Sequence, residues 1–335
     1  MKILLFEWLS GGGQWFDQSP PSLHQELQMQ GQQMLKALEE DFSSLGINPI
    51  LPLDSRGRYP AESKTQVLNI DSAQRLIQQL RQLAETVDWI VLIAPETNGR
   101  LARCCGWLSE FQKKILSPNE SLVRLFSDKT ATCCFLDQSG IPTVEGQLVA
   151  PDAEAELIME STIIENLPGL LKPNDGAGGE GMFWIPDQQT LATTLQQILG
   201  NPASTAMRFE RWVPGIPASI SLISGPRGSR LLPPTRQVMA EGPLGVYHQN
   251  VDDLSSDRCR RARQLGQQVA GALAGARGYF GIDLVLGNQE TDDRVIEINP
   301  RMTASYPLLR TLASENLAQA MLELAVPLPG NTPAE

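Results

Sequence analysis

The segment VIEINPR occupies residues 295–301 and alternates apolar with polar side chains. In a β-strand this alternation places Glu297 and Asn299 on one face and their isoleucine neighbours on the other. The apolar run GYFGIDLVLG at 278–287 comes earlier in the chain, and Asp283 lies inside it. Because the polar turn NQETDD separates the two runs, we predict neighbouring strands that bring two carboxylates and one amide together.

Asp283, Glu297 and Asn299 are therefore candidate metal ligands. Carboxylate and amide oxygens form the hard, oxygen-only set that suits Mg²⁺ or Mn²⁺. Burying two such charges without a cation would be costly. The alternative is a salt-bridged pair of strands, in which Arg294 or Arg301 neutralises the carboxylates.

Arg301 ends the same segment and is a candidate catalytic residue. A guanidinium at this place can hold a transferred phosphoryl group or the oxyanion of a tetrahedral intermediate. Its alternative role is to pair with Glu297 as a purely structural partner.

Lys172 ends an apolar run, directly before Pro173 and the glycine-rich stretch NDGAGGEG. Glycines let backbone amides approach an anion closely, so we predict a lid that covers phosphate groups. The glycines concerned are Gly176, Gly178, Gly179 and Gly181. The stretch matches neither the Walker pattern nor GxGxxG at the start of a helix, and a β-hairpin with a flexible turn is the alternative.

Lys129 is a second candidate for binding phosphate, within Ser127-Asp128-Lys129-Thr130. Most lysines on helices are exposed to solvent. An ordinary surface lysine is therefore the alternative for this position.

The bulk composition limits the class of protein. A chain of 335 residues is expected to form two or three subdomains with a cleft between them. The net charge of −11 disfavours nucleic acids and anionic membranes as partners. No stretch approaches the ~20 apolar residues of a membrane helix, and the N-terminal apolar run contains Glu7, which is typical of a first strand rather than a leader. We expect a cytoplasmic protein with reduced cysteines.

The first third of the chain alternates strand-like and helix-like segments, a pattern typical of an α/β layer with parallel strands. Ligands bind such layers at the carboxyl ends of the strands, where Glu7, Glu96 and the glycines at 11–13 lie. Gly11, Gly12 and Gly13 could form a backbone nest for a substrate carboxylate, with Glu7 available to an ammonium group. A plain strand-to-helix turn is the alternative.

Hydrophobic spacing and turn residues indicate the remaining elements. Predicted helices cover 24–45, 71–86, 127–140 and 256–276, and strand-like runs cover 2–9, 47–53, 88–96, 208–215 and 218–224, with a strand-turn-strand unit at 167–185. Arg236 and His248 are further candidate substrate contacts. His248 lies in the polar segment GVYHQN after Arg236, and an ordinary surface loop is the alternative for it.

Taken in order, these motifs resemble the ATP-grasp superfamily over residues 127–305. The matching residues are Lys129, Lys172-Pro173 with its glycine stretch, Glu210-Arg211-Trp212-Val213-Pro214-Gly215, Asp283 and Glu297-x-Asn299. The resemblance implies that both lysines bind ATP phosphates and that the metal ligands hold Mg²⁺. It also implies that Glu210, Arg211, Trp212 and Val213 line the adenine pocket through backbone groups. Ile216-Pro217 stands where many members place a glutamate that binds ribose, so that contact is open.

The resemblance also implies the fold and its division. We expect an α/β (α+β) ATP-grasp fold, in which an N-terminal parallel α/β layer is joined to two α+β subdomains that clasp ATP. The expected ranges are 1–118 for the N-terminal domain, 119–205 for a lid subdomain with Lys172 and the glycine stretch, and 206–330 for a C-terminal subdomain with the metal site.

A narrower resemblance concerns four segments: FEWLSGGG at 6–13, DGAGGEG at 175–181, PGIPASISLI at 214–223 and INPRMTASY at 298–306. Together they look like the branch that contains the tyramine–glutamate ligase of methanofuran biosynthesis. This implies a γ-glutamyl amide of tyramine, tyrosine or a related amine as product.

The function implied is ATP-dependent joining of a small-molecule carboxylate to an amine through an acyl phosphate, with Arg301 and Lys172 as catalytic residues. A phosphotransferase that stops after phosphorylating its substrate would share every ATP-binding residue. A nucleotide-binding regulator without turnover is a third reading, which the complete metal set disfavours. The sequence leaves the oligomeric state open.

Overall fold

Three β-sheets organise the computed structural model, which describes residues 1–17, 25–175, 181–199, 205–239 and 247–326. The strands are β1 (Lys2–Glu7), β2 (Asn48–Asp54), β3 (Gln66–Ile70), β4 (Trp89–Ile93), β5 (Gly146–Val149), β6 (Gly169–Pro173), β7 (Phe183–Ile185), β8 (Met207–Arg211), β9 (Ile216–Gly225), β10 (Gly228–Leu231), β11 (Thr235–Met239), β12 (Tyr247–Val251), β13 (Gly278–Leu286) and β14 (Arg294–Asn299). The helices are α1 (Gln25–Ser44), α2 (Ala73–Thr86), α3 (Arg100–Trp107), α4 (Glu120–Ser127), α5 (Lys129–Gln138), α6 (Ala155–Met159), α7 (Gln188–Ile198), α8 (Ser256–Ala272), α9 (Tyr306–Leu312) and α10 (Leu317–Ala325).

The N-terminal sheet is parallel, with the strand order β3-β2-β1-β4. Alternation along β1 divides its side chains between two cores: Ile3 and Leu5 pack with α1, whereas Leu4 and Phe6 pack with α2. Helices on both faces are what a parallel sheet requires. The predicted parallel α/β layer is thus confirmed, and β1 ends at Glu7 on the carboxyl edge.

The lid sheet is antiparallel, with the order β5-β8-β6-β7. Its core forms around Leu171, Ile185 and Phe209 against α7. Because β8 lies between β5 and β6, residues up to Arg211 belong to the sheet that carries Lys172. The lid sheet therefore continues past residue 205, where the expected range ended.

The large sheet has the order β12-β11-β9-β13-β14, and β10 pairs with the C-terminal end of β9 at residues 222–225. One side of it packs on α8, and the same core includes Phe126 and Leu136 from α4 and α5. These two helices were expected in the lid range, but their apolar side chains are buried against the large sheet.

The predicted helix at 127–140 corresponds to α5, and Gly140 follows its end with a φ of 69°. A separate helix, α4, ends at Ser127, and α5 begins at Lys129 after a break at Asp128. The Asp128 side chain accepts a hydrogen bond from the amide of Ala131 at 2.8 Å, as an N-cap does. This cap fixes Lys129 in the first turn of α5.

The C-terminal helices return to the N-terminal sheet and pack on α1 in one shared core. Buried Asp41 of α1 accepts hydrogen bonds from the Tyr306 hydroxyl at 2.7 Å and from the Arg310 guanidinium at 2.7 Å. The N-terminal layer and the large sheet are thereby held together. Within the described ranges, no helix combines the length and the apolar character needed to cross a bilayer.

Asp41→Ala is expected to lower the free energy of unfolding by about 1–3 kcal/mol, because it leaves a buried hydroxyl and a guanidinium without their acceptor. Glu40→Ala is the matched control, since Glu40 also pairs with Arg310 but its side chain is 41% exposed; its cost should stay within about 1 kcal/mol. Urea unfolding of both variants measures the difference. Equal losses of unfolding free energy in the two variants would mean that Asp41 does not hold the N-terminal layer and the large sheet together.

Candidate active site

A cavity of about 450 Å³ lies where the three sheets meet. Its lining includes Glu7 from the N-terminal sheet, Lys172 and Glu210 from the lid sheet, and Asp283 and Glu297 from the large sheet. Candidates that are far apart in the sequence therefore meet in one space.

Lys172 lies near the end of β6, and its ammonium is buried in the cavity wall. Its Nζ lies 2.6 Å from Oε2 of Glu210, while Oε1 of Glu210 accepts a hydrogen bond from Nε of Arg208 at 3.0 Å. The carboxylate is thus held between two cations on paired strands. This arrangement fixes the position of the Lys172 ammonium.

Lys129 projects from the first turn of α5 into the same cavity, and its side chain is 11% exposed. Its Nζ donates a hydrogen bond to Oε2 of Glu297 at 2.9 Å. Burial alone lowers the pKa of Lys129, but the Glu297 carboxylate outweighs it and raises that pKa overall. The ammonium therefore stays charged, and Lys129 is not the exposed surface lysine of the alternative reading.

The three candidate metal ligands lie together on β13 and β14. Asp283 and Glu297 face each other in register, and Oδ2 of Asp283 accepts a hydrogen bond from Nδ2 of Asn299 at 3.0 Å. Gln237 of β11, which the sequence did not suggest, donates to Oδ1 of Asp283 at 2.9 Å. A register irregularity follows Asp283 in this pair of strands, as is frequent beside active sites.

Two partly buried carboxylates side by side repel each other, and their pKa values move in opposite directions. Burial and the Glu297 charge raise the pKa of Asp283. Burial raises the pKa of Glu297 too, but the charges of Lys129 and Lys172 outweigh it and lower that pKa overall. The pair thus carries negative charge that a cation would offset.

The donor set fits a hard divalent cation. In the part of the chain that the structure describes, no cluster of three or more His, Cys, Asp or Glu side chains could hold a metal by itself. Two carboxylates and one amide leave the other positions to water and phosphate oxygens, as Mg²⁺ commonly requires. Arg294 instead donates to the carbonyls of Thr291 and Asp293, so it does not form the salt bridge of the alternative reading.

Arg301 follows β14 and reaches the N-terminal sheet. Its Nε donates a hydrogen bond to Oε2 of Glu96 at 2.8 Å, and Nη1 donates to the carbonyl of Met302 at 3.2 Å. Glu96 follows β4 and is buried; its Oε1 has no hydrogen-bond partner within the described ranges. The partner of Arg301 is thus Glu96, not Glu297 as the structural alternative had it.

The end of β8 and the residues after it line the cavity with Arg211, Trp212 and Val213. The amides of Arg211 and Trp212 donate to the carbonyls of Glu145 and Pro168, each at 2.9 Å. These two amides are already occupied, so a backbone contact to adenine would have to come from other backbone groups of residues 210–213. The ring of Trp212 lies edge-on to Trp184, with 5.1 Å between the ring centroids, and Pro217 also lines the cavity.

Several predicted substrate contacts do not line the cavity within the described residues. The amides of Gly11 and Gly13 donate to the carbonyls of Glu7 and Trp8 at 2.7 and 2.8 Å, and Gly12 lies between them with a φ of 93°. Arg236 pairs with Asp253, its Nε 2.7 Å from Oδ1.

Other predicted residues can be placed only in part. Gly176, Gly178 and Gly179 lie outside the described residues, and Gly181 is the first residue after that gap, with a φ of 71°. His248 lies in β12, where the described side chains of Tyr247 and Asn250 line the cavity; its own side chain is not among those described.

Comparison with known proteins identifies the family. A family model described as an ATP-grasp domain matches residues 126–305, and one described as a pre ATP-grasp 3 domain matches 47–123. The large chain of arginine-specific carbamoyl phosphate synthase from Halalkalibacterium halodurans is 24% identical over 213 residues, 62% of this chain. The chain spans only 19% of the length of that relative.

Solved structures agree with this assignment. Biotin carboxylase from Campylobacter jejuni, in its β-γ-ATP complex, gives a TM-score of 0.70 at 16% identity, covering 98% of this chain and 72% of that one. D-alanine–D-alanine ligase from Bacillus anthracis gives 0.66 at 15% identity, covering 97% of both chains. At these identities the likeness shows the fold alone. Since the ATP-grasp domain spans more than half of the 335 residues, the chain belongs to the ATP-grasp family.

Proposed function

We propose that this chain is an ATP-dependent carboxylate–amine ligase that works through an acyl phosphate. Membership of the ATP-grasp family supports ATP as a substrate and Mg²⁺ or Mn²⁺ as the metal. One observation carries the proposal: two buried ammonium groups, on Lys129 and Lys172, line the same cavity as Asp283, Glu297 and Arg301. Such a space can hold a polyphosphate and a reacting carboxylate together.

The proposed roles divide along the cavity. Lys129 and Lys172 bind phosphate groups of ATP, and backbone groups of residues 210–213 bind the adenine. Asp283, Glu297 and Asn299 hold the metal, which when bound would neutralise negative charge on the phosphates.

In the proposed reaction a substrate carboxylate oxygen attacks the γ-phosphorus of ATP, and ADP leaves. The amine nitrogen then attacks the acyl carbon, the bond to phosphate breaks, and the amide and inorganic phosphate remain. Arg301 offsets the negative charge that develops on the reacting oxygen. No protein nucleophile takes part, so positioning and charge neutralisation supply the catalysis.

The direct test is phosphate release from ATP in the presence of paired carboxylates and amines, beginning with glutamate plus tyramine or tyrosine. This first pair follows from the narrower sequence resemblance. A ligase is expected to release phosphate only when both partners are present. ADP formation that needs no amine would favour the phosphotransferase alternative, and no stimulation by any pair would remove the main support for a ligase.

Glu96→Gln is expected to lower kcat about 10–100-fold, while the KM for ATP changes less than about 3-fold. The reason is that a neutral amide holds the Arg301 guanidinium less firmly, whereas the groups proposed to bind ATP, Lys129, Lys172 and residues 210–213, are unchanged. Steady-state phosphate release measures both constants.

Glu120→Gln serves as the control for this variant, because Glu120 also holds an arginine, Arg124, but on the surface of α4. It should leave both constants unchanged. A Glu96→Gln enzyme with wild-type kcat would show that Glu96 does not position Arg301 for the reaction.

A further inference from the structure

The cavity continues beyond the metal ligands to the carboxyl edge of the N-terminal sheet. There its wall is apolar, and the side chains that form it come from β1 and its following turn, α1 and β4. They are Leu9, Leu27, Met34 and Ile93. Glu7, the last residue of β1, also lines this end.

Glu7 is a buried acid that has no counter-ion among the described residues. Its side chain belongs to a residue that is 2% exposed, and its two oxygens accept hydrogen bonds from the amides of Leu9 at 2.9 Å and Ser10 at 2.7 Å. In the described ranges, no lysine, arginine or histidine forms an ion pair with it. Burial raises the pKa of Glu7 despite both hydrogen bonds.

Each carboxylate oxygen can accept more than one hydrogen bond, so Glu7 keeps acceptor capacity toward the cavity. An uncompensated buried carboxylate is costly. A cation that enters the cavity and reaches Glu7 would remove that cost, which gives this end a preference for positive charge.

Gly31 of α1 packs directly against this carboxylate. A Cβ atom at position 31 would lie 2.7 Å from Oε1 of Glu7, which is closer than van der Waals contact allows. Gly31 itself lines the cavity. The glycine therefore lets α1 approach Glu7, and a side chain at position 31 would push the carboxylate out of its place.

The cations that line the cavity are already paired with acids. Lys129, Lys172, Arg211 and Arg301 pair with Glu297, Glu210, Glu145 and Glu96, respectively. Glu7 forms no such pair within the described ranges.

We propose, on the basis of the ligase function proposed above, that this end of the cavity binds the amine substrate as an ammonium group on an apolar body, with Glu7 as its counter-charge. The apolar wall contacts the body of the substrate, and Glu7 fixes its nitrogen.

The test uses three probes of similar shape and different charge: 2-phenylethylamine, 2-phenylethanol and 3-phenylpropanoate. Calorimetric titration of the wild-type chain should give at least about 10-fold tighter binding of the ammonium than of the alcohol, with the carboxylate weakest. Glu7→Gln should remove the difference between ammonium and alcohol. Glu85→Gln, at an exposed acid of the same layer, should keep it.

Gly31→Ala provides a second variant in case Glu7→Gln does not fold. Alanine is favoured over glycine within a helix, and its methyl group would displace the Glu7 carboxylate without changing any charge. We expect it to weaken binding of the ammonium probe about 10-fold. Equal affinity of the wild-type chain for ammonium and alcohol, or unchanged binding by either variant, would mean that Glu7 only caps its turn.

These titrations need no turnover, so they separate the two proposals. Selective ammonium binding without ligation by any substrate pair would contradict the proposed function alone. Ligation with an amine KM that Glu7→Gln leaves unchanged would contradict this inference alone.

Discussion

Asp283→Asn is expected to lower kcat for ATP-dependent phosphate release about 100-fold or more, while the folded protein stays at least as stable at neutral pH. The activity falls because one of two carboxylates for the metal becomes an amide. The stability is kept because the variant removes a buried like charge beside Glu297. Phosphate release and urea unfolding measure the two effects on one protein.

The pH dependence of that stability has a definite sign. Burial raises the pKa of Asp283 above its ordinary range, so the folded state favours the protonated form. The stabilisation is complete below the ordinary carboxyl pKa and is lost as pH rises through the raised value. Asp283→Asn should therefore gain stability relative to the wild type as pH rises from about 4 to about 8.

The control for this prediction is Asp252→Asn, at an exposed acid before α8. It should change neither the activity nor the pH dependence of unfolding. A wild-type kcat in Asp283→Asn would mean that Asp283 is not a metal ligand. A loss of stability that grows with pH would contradict charge repulsion between Asp283 and Glu297.

Lys172→Met is expected to raise the KM for ATP and lower kcat, with a combined loss in kcat/KM on the order of 10³-fold. The variant removes a buried ammonium from the proposed phosphate site. Its effect on folding should be moderate, because Arg208 still pairs with the Glu210 carboxylate after the change.

Steady-state kinetics and thermal unfolding test this variant together. Lys64→Met, at an exposed lysine of the N-terminal layer, is the matched control and should behave as the wild type. If Lys172→Met unfolds at the same temperature but keeps its KM for ATP, Lys172 only neutralises Glu210 and does not bind phosphate.

The sequence predicted the paired strands β13 and β14 well, because both signals were local. Period-two alternation placed Glu297 and Asn299 on one face, and the polar turn implied pairing with the strand of Asp283. The register of these strands agrees. The parallel N-terminal layer was predictable for the same reason, since compact apolar runs alternate there with helix-like spacing.

Contacts between distant segments could not be predicted in this way. Arg301 pairs with Glu96 across 205 positions, and no local pattern distinguishes Glu96 from Glu297 as its partner. Gln237 lies on β11, a short strand of polar composition that carried no strand signal. Asp41 joins α1 to the C-terminal helices only because the chain returns to its first sheet.

One local signal was incomplete for a physical reason. Three consecutive glycines suggested free amides for an anion, but the amides of Gly11 and Gly13 bond to carbonyls of their own turn. The helix at 127–140 was predictable to within two residues, since Asp128 caps α5 at its start.

The central claim is that Asp283, Glu297 and Asn299 hold a metal beside a nucleotide. Titration of Mn²⁺ in the presence of ADP, followed by electron paramagnetic resonance, tests it without any knowledge of the other substrates. We expect the wild-type chain to bind Mn²⁺ with ADP and Glu297→Gln to weaken this binding at least about 10-fold. Equal Mn²⁺ affinity in both proteins would contradict it.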